Sequence, residues 1–371
     1  MKGSLFSKLT HRIEAISGER FALHVGDTYL EPATGAQMED IKTAEHPGLN
    51  RYASPHGHPK LLAAICRKHE VAPARVLVTP GATGALSALG NALLAPGDEV
   101  LVLAPFWPLI RGIVTSCRGQ AVEVPFYDRL TTDPENADAA VDRLLRPYLS
   151  ERCAAIYVNT PNNPTGRVLT PAVTAAIAGF ARRHGLWLWS DSVYADYAWA
   201  RPHHSVAAHA PERSFTVASF SKAYGMAGNR CGYIVGPHDP SFMTTVRKIS
   251  THSFYSVSTA SQLAAAHVLV HGTSWLDRAS AAYQSAGQAA AARLGLSPPE
   301  GGTFLFIDVG DSLDDRGLQG FLEDCIDRGL VLAPGSSCGR DYGNYVRLCF
   351  TCAPPEVVKR GVDVLAELLG R

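Results

Sequence analysis

The sequence predicts an α/β protein with a large unit, built on a mainly parallel central sheet covered by helices, and a smaller α+β unit. Three observations predict it. Short apolar runs alternate with helical stretches through the middle of the chain, as parallel strands and crossover helices do. The residues after these runs are small, polar or charged, as expected where a sheet presents its carboxyl edge to a ligand. From about residue 260 the alternation gives way to long helices and a few further strand signals. The expected division is residues 1–45 as an N-terminal segment joining the smaller unit, 46–255 as the large unit and 256–371 as the smaller one.

Taken in order, "RVLVT" (75–79) reads as a strand and "ATGALSALGNALL" (82–94) as a helix closed by "PGD". "EVLVLA" (99–104), "AAIYVN" (154–159), "LWLWSD" (186–191) and "FTVASF" (215–220) read as further strands. "PAVTAAIAGFARRHG" (171–185) reads as a crossover helix. Beyond the boundary, "TASQLAAAHVLVHG" and the Ala-rich "WLDRASAAYQSAGQAAAARLG" read as two long helices. "GGTFLFIDV", a helix around 316–328, "LVLAPGSS", "NYVRLCF" and a final helix from about 355 complete the smaller unit.

Composition narrows the function classes. The chain has 371 residues, 46% of them hydrophobic, and its 34 Lys and Arg balance 34 Asp and Glu. That balance gives no bias toward nucleic acid or an anionic membrane. No apolar run approaches the roughly 20 residues needed to span a bilayer. "MKGSLFSKLTHRIEAISGER" lacks the apolar block of a secretory signal. Eight scattered cysteines fit a reducing cytoplasm. Cys349 and Cys352 make a C-x-x-C at a strand end rather than a helix start, which argues against a redox role. The histidines match no metal-binding spacing, His56 and His58 read as loop residues, and no metal is expected.

Four segments carry chemistry. "TPGATGAL" (79–86) puts Gly81, Ala82 and Thr83 between a strand and a helix start, where small residues let backbone amides approach a phosphate. "NTPNNPTG" (159–166) holds Asn162 and Asn163 between prolines, a placement suited to a fixed side-chain donor. "SDSVYADY" (190–197) sets Asp191 at a strand end with Tyr194 after it. There a carboxylate can keep a pyridine nitrogen protonated, and a phenol can donate to a nearby oxygen. "SFSKAYGMAGNRCGY" (219–233) carries Ser219, Ser221, Lys222 and Arg230. A desolvated lysine beside cations has a lowered pKa and suits imine formation with an aldehyde cofactor. Singly, each segment reads more simply as a turn, an N-cap or a solvated charge. Four in this order, each after a strand, outweigh that reading.

The set "GATGAL", "NNPTG", "SDSVY" and "SFSKAYGMAGNRCGY", ending with "YVRLCF", resembles the class I/II aminotransferases among the fold-type-I pyridoxal-phosphate enzymes. The resemblance runs from "HVGDTYLEP" to Arg347. It implies pyridoxal 5'-phosphate as cofactor, an amino acid and a 2-oxo acid as substrates, and ping-pong amino transfer. By position, Lys222 looks like the Schiff-base lysine and Asp191 like the pyridinium partner. Asn163 and Tyr194 match the partners of the phenolic oxygen. Ala82, Thr83, Ser219, Ser221 and Arg230 match the phosphate site, and Trp107 in "APFWP" matches the ring stacked on the cofactor. Tyr52 in "RYASPHG" matches a tyrosine reaching the partner subunit's phosphate, which implies a homodimer. Arg347 matches the arginine that grips the α-carboxylate, and Gly26 the glycine beside the substrate.

Departures from the family pattern fall near the substrate. Asn229 and Cys338 stand where bulkier or aromatic residues are usual, and "GDTYLEP" (26–32) carries Asp27 and Glu31. Two carboxylates there would favour a cationic side chain on the substrate, although solvated loop charges are the commoner case. The same core in relatives also supports lyase, cyclase or oxidase chemistry on an amino acid such as an arginine derivative. An aminotransferase-like sensor half of a regulator would need an attached DNA-binding domain, for which 371 residues leave no room. A plain nucleotide-binding protein lacks support because no G-x-G-x-x-G follows the first strand.

Overall fold

The computed structural model describes residues 5–130 and 134–371. Its strands are β1 (Phe21–Ala22), β2 (Val76–Thr79), β3 (Glu99–Ala104), β4 (Gln120–Pro125), β5 (Cys153–Asn159), β6 (Trp187–Asp191), β7 (Ser214–Ser219), β8 (Gly232–Val235), β9 (Phe304–Asp308), β10 (Leu330–Val331), β11 (Ala333–Pro334) and β12 (Tyr345–Cys349). Its helices are α1 (Leu5–Glu14), α2 (Pro59–His69), α3 (Gly81–Leu93), α4 (Leu109–Ser116), α5 (Ala137–Leu145), α6 (Pro171–Arg183), α7 (Phe220–Ala223), α8 (Phe242–Ser253), α9 (Thr259–His271), α10 (Thr273–Arg293), α11 (Gly317–Asp327) and α12 (Pro355–Leu368).

Seven strands form the central sheet in the order β2-β8-β7-β6-β5-β3-β4. The pairs from β7 to β4 are parallel, while β8 runs antiparallel to both β2 and β7. Both faces are covered, so the strands read as continuous apolar runs. In β3, Val100 and Val102 pack under α3 and α4, whereas Leu101 and Leu103 face α5 and α6. A third cluster covers the β2–β8 edge with residues of α2 and α9, including Leu61, Ile65, Ala264 and Val268. Burying each such Leu or Val contributes about 1.5–3 kcal/mol.

Two elements of this sheet escape the sequence reading. β4 is an edge strand with exposed and half-buried residues in "QAV", so its apolar signal is weak. β8 is four residues long and lies inside the lysine-bearing segment.

The remaining strands form a three-stranded antiparallel sheet, β11-β12-β9, and a parallel pair, β1 with β10. Helix α10 buries Ala279, Tyr283, Ala286, Gly287, Ala290 and Ala291, a single face at helical spacing. Leu9 and Ile13 of α1 join Phe321, Leu322, Val358 and Leu365 of α11 and α12 in the core of this part. Among the described residues, no helix is long and apolar enough to cross a membrane.

Candidate active site

The parallel register brings the chemistry-bearing segments to one edge of the sheet. Asn159 lies opposite Asp191, Asp191 opposite Val217, and both Ser219 and Thr79 opposite Gly232. The segments that follow β2, β5, β6 and β7 therefore emerge side by side. They meet at a cavity of about 250 Å³ lined by Gly26, Ala82, Thr83, Trp107, Asn159, Asn163, Asp191, Val193, Tyr194, Ser219, Ser221, Lys222, Arg230, Phe304 and Arg347.

Lys222 stands on α7, a single turn begun by Ser219, whose Oγ accepts from the Ser221 amide at 3.1 Å. Tyr197 fixes the turn from behind, its hydroxyl donating to the carbonyls of Lys222 at 2.9 Å and Ala223 at 3.1 Å. The lysine Nζ donates to Gly26 O and lies 3.9 Å from Asp27 Oδ1. Burial pushes its pKa down, Asp27 and Cys349 oppose that, and Arg230 and Arg347 reinforce it. A free base is therefore easier to form here than on an exposed lysine.

Asp191 is enclosed and its hydrogen-bond donors are neutral. The Tyr157 hydroxyl donates to Oδ2 at 2.5 Å and the Val193 amide to Oδ1 at 3.2 Å. Burial raises its pKa to about 6 despite these two bonds. Tyr194 is also pushed up by burial, with Arg347 opposing.

Arg347, on β12, is only 9% exposed. It donates to Asn163 Oδ1 and to His24 O, each at 3.0 Å. Its guanidinium carbon lies 4.4 Å from the centre of the Phe304 ring. Among the described residues, its Nε is buried without a partner. Asn163 also donates to the Tyr194 hydroxyl at 3.4 Å, so these three side chains form one chain of contacts. Opposite them, Arg230 is exposed at the rim, donates to Ala227 O at 2.8 Å and abuts Gly81 at the start of α3.

The structure thus gathers Lys222, Asp191, Tyr194, Ala82, Thr83, Trp107, Asn163, Ser219, Ser221, Arg230, Gly26 and Arg347 around one space. Gly81 and Asp27 border it without lining it. Tyr52 lies apart, 90% exposed, with its ring centre 5.2 Å from that of Tyr255. Glu31 is exposed and, like Asn229 and Cys338, is absent from the lining.

Three lining residues were not singled out from sequence. Asn159 reads from sequence as a strand end, yet it links two segments: its Oδ1 accepts from the Asn163 amide at 2.7 Å and its Nδ2 donates to Asp191 O at 3.2 Å. Val193 supplies the amide that holds Asp191. Phe304 comes from β9, and an added Cβ on Gly26 would sit 2.7 Å from its ring, so the glycine is what lets the two meet. The pairing of asparagines and the "GG" before "TFLF" were the only signals available for these residues.

The comparisons agree with this geometry. The family model described as aminotransferase class I and II matches residues 22–365. The aspartate/prephenate aminotransferase of Thermus thermophilus is 30% identical over 365 residues, covering 91% of each chain. The arginine–pyruvate transaminase of Pseudomonas aeruginosa is 28% identical, covering 95% of this chain and 92% of that one. A solved Thermus thermophilus aspartate aminotransferase mutant superposes with a TM-score of 0.88 at 28% identity, over 99% of this chain and 97% of its own. Strand-edge geometry, family match and neighbouring folds converge, and the chain belongs to the class I and II aminotransferases, pyridoxal-phosphate enzymes that move amino groups between amino acids and keto acids.

Proposed function

We propose that this chain transaminates between an L-amino acid and a 2-oxo acid through covalent chemistry at Lys222, and that it works as a cytoplasmic homodimer. The observation that carries the reading is the shared cavity, where one enclosed amine, one enclosed carboxylate and one enclosed guanidinium face the same space.

The residues present suit pyridoxal phosphate. The start of α3 at Ala82 and Thr83, the hydroxyls of Ser219 and Ser221 and the Arg230 guanidinium offer donors and positive charge for a phosphate. Asp191, enclosed among neutral donors, lacks a cation, and a protonated ring nitrogen supplies one. The unpartnered Arg347 Nε leaves room for a substrate carboxylate oxygen. When bound, the cofactor supplies an electron sink for charge developing at the substrate's α-carbon.

Each side chain then has its own task. Lys222 holds the cofactor between turnovers. Once displaced, its burial-lowered amine would take the proton from the substrate's α-carbon and deliver a proton to the carbon that had been the cofactor's aldehyde. Asp191 would keep the cofactor's ring nitrogen protonated, and Tyr157 and the Val193 amide keep Asp191 in place. Asn163 and Tyr194 would donate to its phenolic oxygen, and Trp107 would hold the ring from the cavity wall. Arg347 takes the α-carboxylate in its fork, with Phe304 beneath it and Gly26 leaving space beside it.

Borohydride reduction of the holoenzyme followed by peptide mapping tests this. Label is expected on Lys222, and Lys222→Ala should abolish turnover. Label on Lys42, Lys60 or Lys248 overturns the assignment.

For the substrate, the Lys222–Asp27 pair at 3.9 Å favours a basic side chain. Cofactor held by Lys222 would engage that amine and leave the Asp27 carboxylate at the mouth of the site. Asp27 is about half exposed, so its contribution is the lower end for a charged contact. Asp27→Asn should weaken binding of arginine or lysine derivatives about tenfold and leave an apolar amino acid unchanged. A preference of wild type for acidic or aromatic substrates, or an equal effect on all, rules the idea out.

A further inference from the structure

The C-x-x-C stands where the amino-terminal strap, residues 22–30, is tied down over Lys222. Cys349 ends β12 and is buried against Tyr194 and Phe304. Its Sγ lies 3.5 Å from Asp27 O and 3.4 Å from Thr351 Oγ1. The chain then bends, and the half-buried Cys352 brings its Sγ to 3.3 Å from Cys349 O and 3.6 Å from Ala22 O. Between them, Thr351 Oγ1 donates to Asp27 O at 2.6 Å, and the Tyr29 amide donates to Thr351 O at 2.8 Å. Both thiols thus reach carbonyls of the strap that also receives Lys222 Nζ at Gly26 O.

The bend after β12 brings Cys352 Sγ back to 3.3 Å from the Cys349 carbonyl, so the two cysteines share one turn. A helix N-terminus is the usual setting for such a pair. Here a bend after a strand brings the two cysteines together instead, which the sequence spacing alone does not reveal.

We propose that Cys349 and Cys352 are a reversible thiol–disulfide site, oxidised by a low-molecular-weight disulfide, and that oxidation loosens the strap over Lys222. Cys352 is the accessible member, so its sulfur attacks the oxidant first. The oxidant's S–S bond breaks, and one thiol leaves carrying the Cys352 proton. Cys349 Sγ then attacks the Cys352 sulfur, the mixed disulfide breaks, and the second thiol leaves with the Cys349 proton. Two electrons pass from the cysteine pair to the oxidant, which ends as two thiols. Neither protein sulfur then has a proton to donate, so Asp27 O and Ala22 O each lose a donor. Thr351 still holds Asp27 O, so the strap loosens without detaching.

The effect on turnover rests on the reading of Lys222 above; the disulfide itself does not. The tryptic segment Leu348–Lys359 contains both cysteines and no others, which makes the site readable by mass. Holoenzyme is held in glutathione buffers of rising oxidised fraction, blocked with a thiol reagent and digested. That segment should lose two hydrogens in step with loss of transaminase activity. The Tyr29 amide should exchange about tenfold faster, the weight of roughly one hydrogen bond. Reduced dithiothreitol should restore all three. Cys352→Ser should keep wild-type activity in reductant and retain it in the oxidising buffer.

The proposal is overturned if the segment keeps free thiols or carries only glutathione after Cys66 and Cys153 have reacted. It is equally overturned if the disulfide forms while Tyr29 exchange stays unchanged. Disulfide formation with faster exchange but full activity would support the sulfur site and overturn the role given to the strap over Lys222.

Discussion

Asp191 shows what burial does to an ordinary carboxylate. Its pKa rises to about 6 from 3.8, chiefly through desolvation. A carboxyl whose folded-state pKa is raised favours folding fully below the unfolded value and loses that contribution as pH climbs through the folded one. In the cofactor-free protein, ionisation between about pH 4 and pH 6 therefore opposes folding, by up to about 3 kcal/mol at neutrality. Asp191→Asn removes that penalty but leaves one of the two donors without an acceptor, at roughly 1–2 kcal/mol. Urea unfolding of cofactor-stripped protein should show the variant about 1–2 kcal/mol more stable than wild type at pH 7, with the gain gone at pH 4. Turnover of the variant should collapse despite the gain. An unchanged or inverted pH trend refutes the account. Lys222 and Asp191 were legible in the sequence because each is a charge set at the end of an apolar run, and Arg347 through its match to the family pattern. Phe304 and Asn159 were not, since each joins the site through a partner distant in sequence, and Val193 takes part only through its backbone amide, which no side-chain pattern marks. Asn159 reaches Asn163 nearby but also Asp191 O across the sheet, and Phe304 meets Gly26 from the other end of the chain.

Among elements, the short turn α7 and the strap over it depend on one close approach. Gly225 has a φ of +68°, and a Cβ there would lie 2.4 Å from Leu30 O. Gly225→Ala must strain the backbone and push residues 30–32 away from the turn. The expected cost is about 1–3 kcal/mol in stability. KM for the amino acid should rise more than kcat falls, because the displaced strap carries Gly26 and Asp27. A variant with wild-type stability and KM refutes this coupling. The strands β2, β3, β5, β6 and β7 could be read within a residue or so, because both faces of the sheet are covered and the runs are apolar throughout. Helix α9 was read as a helix, but its packing on α2 and the β2–β8 edge could not be foreseen. Which surface an almost wholly apolar helix covers depends on tertiary contacts that its own pattern does not encode.

For the whole molecule, the exposed aromatic pair is the feature that a single chain leaves unexplained. Tyr52 is 90% and Tyr255 43% exposed, and their rings touch edge to face. In a homodimer with shared sites, Tyr52 serves its neighbour. Mixing Tyr52→Ala with Lys222→Ala subunits should then put both lesions in one site and leave the other intact, restoring about half of wild-type activity per mixed dimer and about a quarter overall at random assortment. Mixing a Tyr52→Phe/Arg347→Ala double variant with Lys222→Ala should restore none, because lesions then fall in both sites. Recovery in neither mixture, or a monomer by sedimentation, counts against sharing.

The antiparallel strand β8 has a consequence for biosynthesis. It sits between β2 and β7, so in the sheet Thr79 and Ser219 both pair with Gly232. The start of α3 after β2 and the lysine turn after β7 therefore cannot be brought into register on the ribosome until β8 has emerged. Arg347 and its Phe304 support come later still. Such long-range closure is slow and leaves apolar strand edges open meanwhile. A nascent chain of this design has no cavity to offer its cofactor, which can act as a stabilising ligand only after nearly the whole polypeptide has been made.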